Sequence, residues 1–373
     1  MVVLAAAGLT YLFRDSILMD RLEMVNLDSW MSFQRLEVSS EIAVVEITDE
    51  EYRSLFNATS PLSPPTVAVL IRAIAHCRPK VIGVDLDTTA WPLEVREQVS
   101  NELLVIRQNG GEHKVPLVWA LGGYSEAGKI EVDGLANPDP RSCFALPASV
   151  EDGDGIVRGY FPEISSDRKR WLGFAPAILR AAQGEACGAP DVTGEALTAK
   201  RVRVNFRGGR ASFVHLTAST VMGAAYTPAW DNENPLRGKI VLLGGAYRAA
   251  RDRYVTPLGT MSGVDIAAHA VRSASPGGEI KEVGEAVFLA LDLLLGCVLV
   301  TLTFFSESPW MLVGTAVAVP VLAMTASLLA YSSFGYFASF MPVLLAVFFH
   351  ALIEHVITFR RMAHELARLR SEV

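Results

Sequence analysis

Five acidic side chains follow two apolar, strand-like segments of the sequence. They are Asp49, Glu50 and Glu51, which come directly after Ile42–Ile47, and Asp85 and Asp87, which follow residues 81–84. In a parallel sheet the carboxyl ends of neighbouring strands meet at one edge, where α/β folds commonly form binding sites. Carboxylates placed there can bind a hard cation or a cationic ligand, or share a proton. The alternative is that they cap helices and tighten turns.

Motifs for other chemistry are incomplete or missing in the sequence. The acidic run 151–155 fails the calcium-loop pattern, because Ile156 occupies the third ligand position and no suitably spaced Glu completes the loop. No GxSxG, HExxH or phosphate-loop spacing is present. His215 and His269 lie in segments with helical spacing and apolar neighbours, so they are predicted to pack or cap rather than to act as bases. We therefore expect no catalytic residue, no metal ligand set and no cofactor.

Alternating strand-like and helix-like segments carry these residues. Strands are predicted at residues 42–47, 81–84, 115–121, 156–161, 202–206 and 240–243. Helices are predicted at residues 64–77, 172–182, 215–222 and 264–272. Strands rich in Val and Ile that alternate with helices favour a mainly parallel sheet covered on its faces, which is an α/β fold.

Three apolar segments near the C-terminus predict an α-helical transmembrane bundle. They cover residues 287–305, 310–331 and 337–359, and each is about 19–23 residues long, enough to cross a bilayer as a helix. The uncharged stretch 2–13 is shorter and is interpreted as part of an N-terminal span, with a buried helix of the soluble domain as the alternative. The expected organisation is a partial span at 1–13, an α/β domain at 14–284, three transmembrane helices at 285–359 and an output helix at 360–373.

Arginines predict the orientation of the spans. Arg360 and Arg361 directly follow the third span, whereas the first connector carries only Glu307. Positive residues favour the cytoplasmic side, so the C-terminus is predicted to be cytoplasmic and the α/β domain extracytoplasmic. Ionisable residues within the spans should face protein or an interface rather than lipid. These residues are Asp292, His350 and Glu354.

Composition limits the partners of the chain. Hydrophobic residues make up 51% and charged residues 20%, as expected of a protein with both membrane and aqueous parts. A net charge of −7 and the lack of a basic stripe argue against binding to nucleic acid. Two of the cysteines, Cys143 and Cys187, either form a disulfide in an oxidising compartment or remain buried thiols.

Two groups of short segments occur in an order typical of one protein family. In the first half they are Asp20-Arg-Leu-Glu23, Thr48-Asp49-Glu50 and Lys80-Val-Ile-Gly-Val-Asp85. In the second half they are Asp154-Gly-Ile-Val-Arg158, Val204-Asn-Phe-Arg-Gly208, residues 236–244, Asp252 and residues 263–269. Their order, together with the three C-terminal spans, resembles the CHASE2 domain family.

The resemblance implies an extracytoplasmic sensory domain of a multi-pass receptor in a bacterial inner membrane. Members of that family pass their signal to cytoplasmic cyclases or kinases, and here the effector is expected to have been removed or to be a separate polypeptide. The expected signal is a small molecule or a protein, and the candidate ligand-binding residues are Asp49, Asp85, Asp87 and Asp252. A membrane-anchored scaffold or complex subunit is the first alternative, and an extracytoplasmic enzyme is the second.

The C-terminal segment predicts pairing with a second copy of the chain. Phe359, Met362, Leu366 and Leu369 recur at alternating steps of three and four, the a/d pattern of a coiled coil that continues from the last span. We expect a homodimer in which this seam passes the signal. The alternative is an amphipathic helix that lies on the membrane lipid of the inner leaflet.

Overall fold

The structure is a computed structural model that describes most of the α/β part and of the C-terminal helices. The described residues are 16–33, 38–88, 91–92, 95, 107–108, 111–112, 115–120, 143–147, 149–166, 169–187, 201–284, 287, 290, 294, 297–298, 301 and 309–371. The chain divides into two compact units. One unit is Gln34–Glu279, and the other combines Met1–Phe33 with Ile280–Val373.

The described helices and strands are numbered in chain order. The helices are α1 (Ile17–Phe33), α2 (Asp49–Ser54), α3 (Pro64–His76), α4 (Phe174–Ala182), α5 (Ala218–Ala224), α6 (Pro228–Asn232), α7 (Gly263–Ala274), α8 (Pro309–Phe334) and α9 (Met341–Ser371). The strands are β1 (Ile42–Ile47), β2 (Val81–Asp85), β3 (Arg107–Gln108), β4 (Gly111–Glu112), β5 (Leu117–Ala120), β6 (Cys143–Ala145), β7 (Ser149–Glu151), β8 (Val157–Tyr160), β9 (Glu163–Ser166), β10 (Lys169–Leu172), β11 (Val202–Arg203), β12 (Val214–Thr217), β13 (Ile240–Gly245), β14 (Arg253–Thr256), β15 (Gly259–Ser262), β16 (Lys281–Glu282) and β17 (Tyr336–Phe337).

A six-stranded parallel sheet forms the centre of the Gln34–Glu279 unit. Its strand order is β12-β1-β13-β2-β5-β6. The central strands β1 and β13 are buried along their whole length, which explains why their sequences are apolar apart from Glu46 of β1. Ala43, Val45 and Ile47 pack in a hydrophobic cluster with α3. Side chains alternate along a strand, so Glu46 points to the opposite face, where α7 packs on β1 and β13.

The predicted α/β class and mainly parallel sheet are confirmed for this unit. Two predicted strands, β8 and β11, lie instead in a separate antiparallel sheet with the order β11-β8-β7. The start of the helix predicted at 215–222 is wrong. Val214–Thr217 pairs with β1 as an edge strand, and α5 begins only at Ala218, where the Thr217 side chain accepts a hydrogen bond from the Thr220 N–H.

A disulfide joins Cys143 of β6 to Cys187, which follows α4. Of the two alternatives for these cysteines, the structure therefore has the covalent link rather than the buried thiols. The bond ties an edge strand of the main sheet to the segment that leaves the helix. Disulfides of this structural kind persist in oxidising compartments such as the bacterial periplasm.

The other unit contains two helices with the length and composition of membrane spans. These stretches are Val317–Phe334 within α8 and Val343–His364 within α9. The third predicted span was expected to begin at residue 337. Phe337 instead belongs to β17, which pairs with β16, and the helix begins at Met341. The predicted spans 2–13 and most of 287–305, together with Asp292, lie outside the described residues.

Helix α1 was not predicted from the sequence. Its Trp30 Nε1 donates a hydrogen bond to the Ser327 hydroxyl of α8, at 2.9 Å. The Ser327 hydroxyl in turn donates to the carbonyl of Ala338. This short chain of hydrogen bonds satisfies an indole and a hydroxyl that are both buried within the unit.

Candidate functional site

A cleft of about 660 Å³ opens at the carboxyl end of the main sheet. Three neighbouring strands end in its wall: β2 at Asp85, β5 at Ala120 and β13 at Gly245. Aromatic rings form much of the remaining lining, contributed by Tyr160, Phe161, Phe174, Tyr247 and Tyr254. A cleft of this size, lined by both apolar and polar groups, suits a small molecule, and this edge of the sheet is where α/β folds bind ligands.

Two partly buried carboxylates, Asp85 and Asp252, face the cleft. Burial and then the negative charge of Asp252 raise the pKa of Asp85 from 3.8 to about 7. Burial also raises the pKa of Asp252, while hydrogen bonds from the Tyr254 hydroxyl and the Gly263 N–H act in the opposite direction. Those two donors stabilise the anionic form of Asp252, so below about pH 7 the pair holds a proton that lies mainly on Asp85.

The position of Asp252 depends on a glycine at the start of α7. A Cβ on Gly263 would lie 2.2 Å from Asp252 Oδ2, so the carboxylate reaches the first turn of the helix only because no side chain stands there. Ser262 caps the same helix, with Asp265 completing a capping box. The local sequence Ser262-Gly263 therefore both begins the helix and places its N-terminal amides against the Asp252 carboxylate.

The lining has an excess of negative charge. Asp87 lies exposed at the cleft beside the Asp85–Asp252 pair, and the basic group in the described lining is the exposed Arg251. Burial raises the pKa of Tyr160 and of Tyr247 to about 12, so both phenols stay neutral at physiological pH. The Tyr247 ring stacks on Tyr52, with 4.3 Å between the ring centroids.

Asp49, the remaining ligand candidate, lies outside the cleft lining. It begins α2, and its carboxylate accepts a hydrogen bond of 2.9 Å from the N–H of Arg248. Nearby, Glu51 is buried, completes a capping box with Thr48 and accepts a 2.6 Å hydrogen bond from the Ser219 hydroxyl. The acidic residues after β1 therefore tie α2 to its neighbours, whereas Asp85 and Asp87 after β2 reach the cleft.

The two histidines singled out in the sequence have different surroundings. His269 is fully buried against the rings of Phe206 and Phe213, and burial lowers its pKa to about 3, so it is a neutral packing residue. His215 lies on edge strand β12, and its Nδ1 is 2.6 Å from a carboxylate oxygen of Glu46. This contact could not be predicted from the sequence, because it depends on the pairing of β1 with the distant strand β12.

The intramembrane and output candidates lie on α9. The backbone of His350, Glu354, Leu366 and Leu369 is helical, while their side chains lie outside the described part of the structure. Phe359 and Met362 are exposed, with 64% and 50% of their surface accessible. The helix that contains the apolar stretch Val343–His364 runs without interruption to Ser371, so all four predicted seam residues lie on one continuous helix with it.

Comparison with known protein families matches residues 1–303 to the CHASE2 domain. No curated protein and no solved structure gives a significant match. The matched range includes the whole of the parallel-sheet unit and every residue of the Asp85–Asp252 cleft.

Proposed function

The chain belongs to the CHASE2 family of extracytoplasmic sensory domains, and we propose that it is a transmembrane receptor for a small organic cation. In this proposal the cleft binds the cation outside the cytoplasm. The helices that cross the membrane then pass the binding event to a cytoplasmic effector.

The observation that carries the proposal is the Asp85–Asp252 pair. Among the described residues, neither carboxylate has a Lys, Arg or His partner within ion-pair distance. A buried negative charge without a counter-charge is unfavourable, so an ammonium group in the cleft would gain a strong partner. The rings of Tyr247 and Tyr254 add surfaces that attract cations, and the cleft volume suits a molecule larger than a bare metal ion.

Three features support an extracytoplasmic position for the cleft in a bacterial inner membrane. The Cys143–Cys187 disulfide belongs in an oxidising compartment. The apolar stretches of α8 and α9 have the dimensions of membrane spans. Arg360 and Arg361 beyond the last span favour a cytoplasmic C-terminus.

A binding role fits the cleft better than catalysis does. The described lining contains neither His nor Cys, so it offers no Ser–His or Cys–His pair for nucleophilic catalysis. We therefore propose that any enzymatic output, such as that of a cyclase or kinase, belongs to a separate domain or chain. A scaffold that binds its partner without responding to small molecules is the alternative.

The test is a thermal-shift screen of primary and quaternary amines against the full chain in detergent, at about neutral pH. An amine present at about 100 times its dissociation constant should stabilise the protein by about 2.7 kcal/mol and raise the melting temperature measurably. Asp85→Asn and Asp252→Asn should remove this response, whereas Asp49→Asn, outside the cleft, should keep it. If Mg²⁺ or Ca²⁺ alone stabilises the chain and no amine does, the ligand is a metal cation. Equal responses in all variants would contradict the assigned site.

For the transmission of the signal to the cytoplasm, we propose a homodimer held together by the coiled-coil seam Phe359, Met362, Leu366 and Leu369. Single cysteines at Leu366 or Leu369 should form disulfide-linked dimers when membranes are oxidised, because a and d positions face each other in a coiled coil. Cysteines at Ala363 or Arg370 should react far less. The exposed Cys297 is first replaced by Ser to remove background coupling. Uniform coupling at all four positions, or none, would rule out this seam and favour a helix lying on the inner leaflet.

A further inference from the structure

A second group of charged side chains lies outside the cleft lining, on the face of the sheet covered by α7. It consists of Glu46 on β1, His215 on β12 and Asp265 on α7. One potential ligand atom from each residue lies within 4.8 Å of the other two. Three elements far apart in sequence thus bring an imidazole and two carboxylates close together. Glu46 is a charged residue in a strand that is otherwise apolar.

Both carboxylates of this group are buried, with 3% of each residue exposed. Glu46 Oε1 lies 2.6 Å from His215 Nδ1. Asp265 Oδ2 accepts the hydrogen bond of the Ser262 hydroxyl at 2.7 Å, but its Oδ1 has no hydrogen-bond partner and lies 3.7 Å from His215 Nε2. A buried carboxylate oxygen without a partner is unfavourable, and this one faces the His215 ring.

We propose that Glu46, His215 and Asp265 bind one divalent transition-metal ion, of which Zn²⁺ is the representative. One imidazole and two carboxylates are a ligand set that such ions accept, with remaining positions open to water. Ca²⁺ and Mg²⁺ favour oxygen ligands alone, so the imidazole selects against them. The unpartnered Oδ1 of Asp265 would gain the metal as its partner without disturbing the capping hydrogen bond made by Oδ2.

Arg210 supplies a positive charge to both carboxylates of this group. Its Nη2 forms an ion pair with Glu46 Oε2, and its Nε lies 3.9 Å from Asp265 Oδ2. More than half of the Arg210 side chain, 57%, is exposed, and 19% of the His215 side chain is accessible. The guanidinium can therefore move into solvent and open a path for the ion. Arginine and metal compete for the same two carboxylates.

The experiment is a calorimetric titration of the full chain in detergent with ZnCl₂. We expect one ion per chain, and affinity reduced by at least about tenfold in Glu46→Gln, His215→Gln and Asp265→Asn. His76→Gln, which changes a histidine outside the group, should bind normally. Arg210→Ala should bind Zn²⁺ about tenfold more tightly, because a competing positive charge is gone. Its exposed side chain makes this variant informative even if a buried substitution unfolds the protein.

X-ray absorption at the zinc edge distinguishes this site from the free cysteines Cys77 and Cys297. The proposal expects nitrogen and oxygen ligands with an imidazole signature and no sulfur. It is overturned by sulfur ligation, by the lack of saturable binding, by unchanged binding in the three ligand variants, or by unchanged affinity in Arg210→Ala. Asp85→Asn should leave zinc binding intact, so this test succeeds or fails independently of the amine site in the cleft.

Discussion

The Asp85→Asn variant is expected to be markedly more stable than the unmodified chain at about pH 8, and about equally stable at about pH 4. The reason is the pKa of Asp85, which burial and the charge of Asp252 raise from 3.8 to about 7 in the folded protein. The folded state therefore holds a proton that the unfolded chain has released. Such a group stabilises the fold most below its unfolded pKa, and that stability is lost as the pH rises to the folded pKa.

The size of the effect follows from the same two pKa values. Between about pH 4 and pH 7 the free energy of unfolding should fall by about 1.4 kcal/mol per pH unit on account of this group, about 4 kcal/mol in all. Asn resembles the protonated carboxyl but does not titrate, so it adds no pH dependence to the free energy of unfolding. At pH 8 the variant should therefore melt roughly 10 °C above the unmodified chain.

Melting curves of the full chain and of Asp85→Asn, recorded side by side across this pH range, give the difference directly. Comparison at each pH removes the contributions of other carboxylates, such as Glu46 and Glu51, whose lowered pKa values favour the opposite trend. Asp49→Asn, which changes an exposed carboxylate outside the cleft, is the control and should show little difference at any pH. A gap between Asp85→Asn and the unmodified chain that stays constant with pH would contradict a shared proton.

The edge of the sheet that carries this pair could be predicted from the sequence, but the pair itself could not. Strands β1, β2 and β13 are short segments rich in Val, Ile and Leu, a composition typical of parallel strands that are buried on both faces. The position of Asp85 at the end of β2 follows from it. Asp252 stands in an irregular segment without periodicity, so only the family resemblance marked it, and its contact with the start of α7 depends on packing between distant segments.

The secondary structure predicted from the sequence was wrong where the pairing of strands distant in sequence outweighs the local conformational preference. His215 stands in apolar spacing that fits a helix, yet hydrogen bonding to β1 makes Val214–Thr217 an edge strand. The same pairing brings His215 to Glu46, a contact that no spacing rule contains. Similarly, the apolar pattern at residue 337 is continuous with the following helix, but pairing with Lys281–Glu282 holds Tyr336–Phe337 extended.

The second large effect is expected at Arg158, the largest of the fully buried side chains among the described residues. It lies on β8, and its guanidinium binds Asp152 and Asp154, each at 2.9 Å. Asp152 is also buried, and it forms a further ion pair with Arg201. Removal of one partner from a buried ion pair typically costs about 3–5 kcal/mol. Here it would leave the buried Asp152 with its ion pair to the partly exposed Arg201.

Arg158→Met should therefore lower the melting temperature of the full chain by roughly 10 °C, while conserving most of the side-chain volume. Asp154→Asn is the matched control, because 41% of the Asp154 side chain is exposed and its ion pair should contribute less than about 1 kcal/mol. Arg158→Lys should recover only part of the loss, since a single ammonium cannot replace two guanidinium contacts.

The double variant Asp152→Asn with Arg158→Met identifies the cause of the loss. If the buried Asp152 charge, left with Arg201 but without Arg158, destabilises the fold, its neutralisation should restore a substantial part of the stability lost in Arg158→Met. The partly exposed Arg201 can then turn to solvent. If the loss came from packing alone, the double variant would be no more stable than Arg158→Met. Tyr160 lies two residues beyond Arg158 on the same strand and lines the cleft, so strand β8 carries both the ion-pair network and part of the wall of the proposed binding site.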